Sequence, residues 1–414
     1  MDPLTHILSG VLAARAVTPV AMPAHSAAAS SGRSLAPSST PSSVSPPVDR
    51  IAAPLPPRMA MLAGGAAAIF PDIDFGLRVV GTLHYLNGHQ GITHSLLMLP
   101  LWTVLLAWVF ARLAGPRWRW RAFVVPVAAG LGIHIAGDLI TAYGLQLLAP
   151  WSDTRWALSL AFVIAPWMST LLVTGLVACA IWPHHARLAA LLALGATVAY
   201  TGFLAHQRTQ ALAVGSAFAT QSAQYDEAPI ARAVHALPQP FSPFHWMVVV
   251  EYEHHYQVAT LRLRGAAHVL ARWSNIIRHY HPIGEAHWQR VDRWGPAQPT
   301  VTSSAAPSDA APDSVAAGAA SFAEAAWHRP EFEPFRRFAR LPFASPPDQD
   351  ETRFKGALSG EASTGANHAS ERCAWFVDLR FVLPAMPPSF RFGICRDDRG
   401  QWQMRRWRGA FWID

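Results

Sequence analysis

Long apolar runs separated by short polar loops dominate the first half of the chain, up to about residue 206. Residues 95–114, 123–148, 160–182 and 188–204 form the longest runs, and a shorter one covers 59–70. A helix needs about 20 consecutive apolar residues to cross a bilayer. The pattern therefore predicts a mainly α fold, a polytopic transmembrane helical bundle with about five spans.

A short helix is predicted at the N-terminus, over residues 2–17. Asp2 has a side chain suited to an N-cap, and Pro3 fits the first helical position. Because this helix is short for a bilayer, we expect it to be half-buried or re-entrant. Residues 18–57 are rich in proline, serine and alanine and predict a flexible linker or insertion.

The pattern changes after about residue 207 from long apolar runs to strand-like segments. Residues 246–251, 257–263, 375–381 and 390–395 have the aromatic and β-branched content, or the alternation, of strands. The low-complexity residues 300–320 predict a mobile loop. We therefore divide the chain into four parts. Residues 1–17 form a helix with a metal motif, residues 18–57 a linker or insertion, residues 58–206 a transmembrane domain, and residues 207–414 a small α+β domain outside the membrane.

The composition fits a membrane protein with an extramembrane part. Half of the residues (51%) are hydrophobic, only 14% are charged, and the mean hydropathy is positive. The net charge of +7 comes from scattered arginines rather than one basic stripe, so we expect no nucleic-acid partner. Six arginines share one side if the spans alternate, and the positive-inside rule makes that side cytoplasmic: Arg58, Arg112, Arg117, Arg119, Arg121 and Arg187. The C-terminal domain would then be external to a bacterial inner membrane.

Three cysteines exclude a disulfide-rich framework. Cys179 lies in an apolar run, whereas Cys373 and Cys395 could pair if their domain faces an oxidising compartment. The sequence shows no nucleophile-elbow motif and no glycine-rich phosphate loop. An enzyme with this sequence would therefore use water, activated by a metal ion, as its nucleophile.

Histidine and aspartate are the polar residues that stand out in the membrane half. His134 and Asp138 lie one helical turn apart, on the face that Thr141 shares. Ionisable groups at such depth are costly unless they pair, bind an ion or meet water. Imidazole and carboxylate are common ligands of divalent metals, so we expect a metal site, with zinc as the expected ion and room for more than one. The candidate ligands are Asp2, His6, Asp72, Asp74, His89, His94, His134 and Asp138.

Each candidate also has a simpler structural explanation. Asp2 can cap its helix, Pro71-Asp72-Ile73-Asp74 can form a helix-ending turn, and His134 with Asp138 can lock two helices together. The histidines of the second half follow no ligand spacing, and we expect them at the surface or in the core: His245, His254, His255, His279, His281 and His287.

The leading hypothesis is a metal-dependent hydrolase with Asp74 or Asp138 as general base. The alternative is a non-enzymatic metal-binding membrane protein or a transporter. Residues 123–133 offer no polar group below His134 for a permeation path, which favours a one-sided pocket. A third hypothesis makes the C-terminal domain the active part and the membrane half an anchor.

Four motifs resemble the YdjM-like family of membrane-bound, metal-dependent hydrolases. They are residues 2–10, 70–74, 89–95 and 134–144, in the right order across the membrane half. The resemblance implies an integral inner-membrane protein with metal-dependent hydrolase activity, and it leaves the substrate open. The family pattern usually has arginine where this chain has Gln90, and the stretch after the first motif looks like an insertion.

A weaker similarity is to zinc-dependent phospholipase C. That family also has a Pro-Asp-x-Asp-like turn and a His-x-x-x-Asp helix pair among its zinc ligands. By this analogy the substrate would be a phosphoester or a lipid-linked compound, and membrane lipids would be partners.

Overall fold

The computed structural model describes residues 1–18, 55–224, 229–264, 278–295, 312–345, 372–384, 386, 388 and 390–406, with backbone alone at 82–84, 312–319 and 372. The linker predicted over 18–57 lies almost entirely outside the described residues. The first part of the predicted loop, residues 300–311, lies outside them as well.

The described part of the membrane half contains eight α-helices. They are α1 (Pro3–Val17), α2 (Pro57–Ala67), α3 (Leu77–Val80), α4 (Thr82–Gly88), α5 (Leu99–Ala114), α6 (Arg121–Leu139), α7 (Pro166–Ile181) and α8 (Ala186–Ser222). Three short 3-10 helices, Phe70–Gly76, Ile92–His94 and Pro183–His185, interrupt this series. Helix α1 begins as predicted, because Pro3 is its first residue and the Asp2 carboxylate accepts a hydrogen bond from the Thr5 N–H at 3.0 Å.

Within the described residues, three helical stretches are long and apolar enough to cross a membrane, namely Pro57–Val80, Arg121–Leu139 and Pro183–Ser222. Tyr85–His94 and Leu99–Ala114 make a fourth if this pair, bent by 77°, is one span. The structure thus supports three to four spans instead of about five. Helix α7 has only 16 residues because residues 160–165 are not helical, and α6 ends at Leu139 instead of continuing to 148.

Helix α1 lies at the centre of the bundle and packs against α2, α6, α7 and α8. Its contacts are close because glycines meet at the crossings. A Cβ added to Gly10 would lie 2.7 Å from the Gly64 carbonyl oxygen, and a Cβ on Gly130 would collide with that same oxygen. Small side chains thus let three backbones approach one another, which brings the helices that carry polar residues together.

Apolar side chains also cover the outside of the bundle. Leu101, Leu113, Val177, Leu192 and Val198 are all exposed on α5, α7 or α8. A soluble protein rarely exposes so continuous an apolar surface. The bundle is therefore suited to contact with lipid on its outer faces and with its own polar residues inside.

The described part of the second half contains two small sheets. The first has the order β1 (Ala233–Pro238), β2 (His245–Glu251), β3 (His255–Arg262) and β4 (His281–Pro282), with β5 (Gln289–Asp292) also paired to β3. The second has the order β6 (Pro342–Ala344), β7 (Arg372–Asp378), β8 (Arg391–Arg396) and β9 (Trp402–Arg406). Helices α9 (Pro312–Trp327) and α10 (Glu333–Phe338) precede the second sheet.

The four predicted strands correspond to β2, β3, β7 and β8, although residues 379–381 form a short 3-10 helix. Two predicted boundaries need correction. Helix α8 continues through residue 207 to Ser222, and its Gly215 packs against Val234 and Val248 of the first sheet. Residues 312–320, predicted as part of a loop, belong to α9, since alanine has the highest helix propensity and proline suits a helix start.

Hydrogen bonds from a buried arginine join the C-terminal domain to the membrane half. Arg380 donates to the Asp378 carboxylate at 2.8 Å and to the carbonyl oxygens of Ala142 and Tyr143 at 3.1 and 2.8 Å. Burial disfavours the Asp378 carboxylate, but Arg380 and nearby backbone N–H groups outweigh it and hold the pKa of Asp378 below its ordinary value. The loop after α6 is therefore fixed by the C-terminal domain.

The glycine crossings give a test of the bundle. Gly130→Ala places a methyl group against the Gly64 carbonyl, and we expect it to destabilise the protein by about 1–3 kcal/mol, the cost of overpacking a tight core. Thermal unfolding in detergent measures this change. Gly132→Ala on the same helix is the matched control, because nothing lies within 4 Å of its added Cβ and alanine favours a helix. Equal stability of the two variants would contradict the packing described here.

Candidate metal centre

Four side chains from three separate segments come together inside the bundle. Asp72 lies in the 3-10 helix that follows α2, His94 ends the 3-10 helix before α5, and His134 and Asp138 lie on α6. Each offers one ligand atom, and all four atoms lie within 4.8 Å of one another. His94, His134 and Asp138 are fully buried, whereas the Asp72 side chain is 17% exposed. Four of the eight predicted ligands thus form one group.

The spacing within this group matches that of ligands around a single ion. The two Nε2 atoms of His94 and His134 are 3.0 Å apart, and Asp138 Oδ2 lies 3.3 and 3.4 Å from them. Tetrahedral ligands at the usual zinc distances of about 2.0–2.1 Å are separated by about 3.3 Å. Asp72 Oδ1 lies 3.7 and 3.8 Å from the same two nitrogens and completes the group.

Hydrogen bonds at the far side of each imidazole direct its Nε2 atom into the group. His134 Nδ1 lies 2.6 Å from the Ala68 carbonyl oxygen, which can only accept, so Nδ1 carries the proton. His94 Nδ1 faces Asp74 Oδ2 at 3.3 Å and the Thr93 hydroxyl at 3.0 Å. In neutral rings with these partners, both Nε2 lone pairs point at the same space beside a carboxylate. This donor set suits a cation such as zinc.

Asp74 lies behind His94 instead of within the group. Its carboxylate accepts hydrogen bonds from His89 Nδ1 at 2.6 Å, the Gln90 N–H at 2.9 Å and the Thr93 hydroxyl at 2.8 Å. The predicted ligand and base Asp74 is therefore a partner that orients His94 and the loop before it. The Thr93 hydroxyl thus helps to hold this carboxylate in place.

His89 also lies outside the group of four ligand atoms. Its ring stacks on Tyr85 with centroids 4.7 Å apart and meets Tyr143 edge to face at 5.2 Å. The ring is thus held between two tyrosines while its Nδ1 holds Asp74. This places the predicted ligand His89 in a supporting role.

His6 and Asp2, the candidates on α1, have different surroundings. His6 Nε2 lies 3.1 Å from Asp138 Oδ1, and its ring stacks on His134 with centroids 3.7 Å apart. The Met1 amino group also contacts Asp138 Oδ1. Asp2 accepts from the Thr5 N–H and, at 2.6 Å, from the Thr5 hydroxyl, so it acts as a helix cap. His6 therefore borders the site, whereas Asp2 caps α1 and does not belong to the group of four ligands.

Two supporting residues escape prediction from the sequence. Gln90 donates from Nε2 to Asp138 Oδ2 at 2.9 Å, and its backbone has φ of +58°. Arg155 holds the loop before His94 through the carbonyl oxygens of Leu86 and His89, at 2.9 and 3.2 Å. Gln90 lies inside the motif at residues 89–95, and this position could have indicated a role at the site. Nothing in the sequence around Arg155 indicates its contacts.

The described histidines of the second half form no comparable group. His245 stacks on Tyr280 with centroids 4.1 Å apart, and His255 stacks on Tyr252 at 4.7 Å. Within the residues that the structure describes, the only set of three or more side chains placed to share a metal ion is the one around His134.

Fold and site together define a helical membrane protein with a buried His/Asp group that could hold a metal ion. Residues 1–211 match the model of the YdjM inner membrane protein family, and the chain belongs to this family. The resemblance found in the sequence motifs is thereby confirmed.

One curated relative is the "Uncharacterized protein YfhP" of Bacillus subtilis (strain 168), which is 31% identical over 130 residues. The match covers 30% of this chain and 36% of YfhP, so it spans about a third of that relative's length. No solved structure matches the chain.

The Gln90 contact predicts an effect on metal affinity. Gln90→Asn keeps an amide and tolerates the positive φ, but the shorter side chain cannot reach Asp138 Oδ2. We expect zinc affinity to fall about 10–100-fold, as is typical when a hydrogen bond to a ligand is lost. Competition with a chromophoric chelator measures it. Gln221→Asn, at an exposed position on α8, is the matched control, and equal affinity of both variants would exclude this role.

Proposed function

We propose that this protein is a membrane-embedded metal-dependent hydrolase whose divalent ion, with zinc as the expected identity, is held by His94, His134 and Asp138, with Asp72 beside it at the edge of the site. One observation carries the proposal. Three buried ligand atoms lie 3.0–3.4 Å apart, which is the spacing of ligands around one ion. Without a cation between them, two imidazole lone pairs and a carboxylate would face each other in a dry interior.

The residues around such a site have different roles. His94 and His134 supply neutral nitrogens, and Asp138 supplies the negative charge, which Gln90 helps to hold in place. Asp74 and the Ala68 carbonyl fix the orientation of the two rings. A divalent ion at this position would lower the pKa of bound water and polarise a phosphoryl or carbonyl oxygen.

We assign the general base to Asp72 in preference to Asp74 or Asp138. Asp138 is fully buried and faces both histidines, and Asp74 already accepts three hydrogen bonds. Asp72 is the most exposed of the four grouped side chains, and it lies farther from the histidines than Asp138 does. It is therefore the carboxylate best placed to meet water at the edge of the site.

The proposed substrate class is a phosphoester, including lipid-linked phosphoesters. The membrane setting supports it because a site inside a lipid-facing bundle is accessible to amphipathic molecules. The hydrolase assignment is also what resemblance to the family implies, and the phosphoester rests on the weaker analogy with phospholipase C.

Metal content and hydrolysis test the proposal together. Purified wild type should contain stoichiometric divalent metal and hydrolyse bis(p-nitrophenyl) phosphate or phospholipid vesicles. His134→Ala and Asp138→Asn should each reduce metal content and hydrolysis. The reduction should exceed the factor of about 10–100 that is typical of changes to supporting residues. Asp153→Asn, exposed in the loop before α7, is the control.

Wild type without metal, or metal retained in both variants, would rule out this site. Metal uptake into proteoliposomes that the same variants abolish, with no hydrolysis by wild type, would favour a transporter instead.

The proposed topology places the C-terminal domain on the external side. Cys373 and Cys395 stand opposite each other on β7 and β8 and are joined by a disulfide, which is typical of oxidising compartments. The arginines at the other ends of the helices support the same orientation. A C-terminal alkaline phosphatase fusion should be active in bacterial cells, and a fusion within residues 115–121 inactive. The reverse pattern would invert the topology.

A further inference from the structure

Arg15 is a buried cation that the candidate metal centre does not use. It lies in the last turn of α1, and only 5% of its surface is exposed. Its Nη1 atom is buried and donates no hydrogen bond, and Arg15 forms no ion pair within the described part of the chain. Arginine keeps its charge in proteins, so its burial without an anion is unfavourable. The negative end of the α1 dipole attracts the guanidinium but leaves Nη1 without an acceptor.

A second arginine lies at the same corner of the bundle. Arg187, in the first turn of α8, donates from Nε to the carbonyl oxygen of Ala16 at 3.0 Å, and Ala16 follows Arg15 in the chain. Arg15 also interacts electrostatically with Cys179 near the end of α7, and the Cys179 thiol donates to the Ala186 carbonyl oxygen at 3.1 Å. The ends of α1 and α7 and the start of α8 therefore bring two cations to one corner. Arg187 is exposed, so this corner can be reached from outside.

The described carboxylates of the membrane half are all far from this corner. Residues 1–18 and 55–224 contain no glutamate and five aspartates, which lie at the end of the bundle that holds the candidate metal centre: Asp2, Asp72, Asp74, Asp138 and Asp153. The opposite end instead adds Arg58, at the start of α2, and Arg121, at the start of α6. An anion at this end would therefore meet an excess of positive charge.

The side chains next to the two arginines are suited to contact with lipid. Ile181, Trp182 and Leu188, where α7 ends and α8 begins, are 60%, 57% and 54% exposed. Tryptophan at the end of a spanning helix is typical of the interface between membrane and water. Basic pockets between transmembrane helices bind anionic lipid headgroups. Charge and apolar surface together thus favour an anion that carries hydrocarbon chains.

We propose that Arg15 and Arg187 form a binding site for an anionic phospholipid, with the phosphate at the two guanidinium groups and the acyl chains against the apolar side chains of α7 and α8. Guanidinium groups donate charge-assisted hydrogen bonds to phosphate oxygens, so the lipid provides Arg15 with an acceptor and a counter-charge. The site lies at the opposite end of the bundle from the candidate metal centre. It therefore goes beyond the proposed function and does not depend on it.

Equilibrium binding to the full-length, detergent-purified protein tests the proposal with three probes. Dioleoyl phosphatidylglycerol is an anionic phospholipid, dioleoyl phosphatidylcholine has the same chains and no net charge, and inorganic phosphate has no chains. We expect the first to bind most tightly, because it alone combines net negative charge with apolar surface. Arg15→Gln and Arg187→Gln should each weaken its binding about tenfold, the scale of one charge-assisted hydrogen bond.

Arg119→Gln is the matched control, because it removes one positive charge from an exposed position in the loop between α5 and α6, at the same end of the bundle. We expect this variant to bind phosphatidylglycerol as the wild type does. Since Arg187 is exposed, Arg187→Gln is suited to retain the fold, and it decides the question even if Arg15→Gln does not fold.

The outcomes separate this proposal from the proposed function. Equal affinity for phosphatidylcholine or inorganic phosphate would overturn the lipid site, as would no binding of phosphatidylglycerol. Unchanged affinity in Arg187→Gln, or an equal loss in Arg119→Gln, would overturn it as well. Phosphatidylglycerol binding by a protein without hydrolytic activity would refute only the hydrolase, and hydrolysis without this binding would refute only the lipid site.

Discussion

A carboxylate inside an apolar bundle is stable only where donors or cations surround it, and Asp138 is where this constraint acts in the structure. Its oxygens face Gln90, His6 and the Met1 amino group as well as His94 and His134. These partners belong to α1 and the residues just before it, to α6 itself and to the segment before α5. Satisfying one buried charge therefore fixes the relative positions of three segments that are distant in sequence, and the close glycine crossings make that convergence sterically feasible.

Support for the site extends beyond the membrane half. Arg155 holds the carbonyls of the loop that carries His89, and Arg340 contacts the carbonyl of Arg155. Arg380 holds the carbonyls that follow α6. Two arginines of the C-terminal domain thus stabilise the loops around the candidate metal centre. This arrangement argues against treating either half as a simple anchor for the other, since the geometry of the centre depends on both.

The sequence was sufficient to predict those elements that depend mainly on the types of neighbouring residues. The Asp2 cap, the first helix and four of the strands follow from residue types alone. The roles of Asp72 and Asp74 do not, because residues two apart in a 3-10 helix with three residues per turn point in different directions, and only tertiary contacts show which one faces His134. The number of spans was overestimated because an apolar run does not reveal that residues 160–165 are non-helical. The contacts of Gln90, Arg155 and Arg380 depend on residues far away in sequence.

The length of α8 has a mechanical consequence. Its 37 residues span about 55 Å at 1.5 Å per residue, whereas the hydrocarbon core of a bilayer is about 30 Å thick. A helix of this length perpendicular to the membrane extends about 25 Å beyond the hydrocarbon, and Gly215 near its C-terminal end packs directly against the first sheet. Because α8 is one continuous helix, it holds the first sheet at a fixed distance from the bundle. Movement of this sheet relative to the bundle therefore requires α8 to bend.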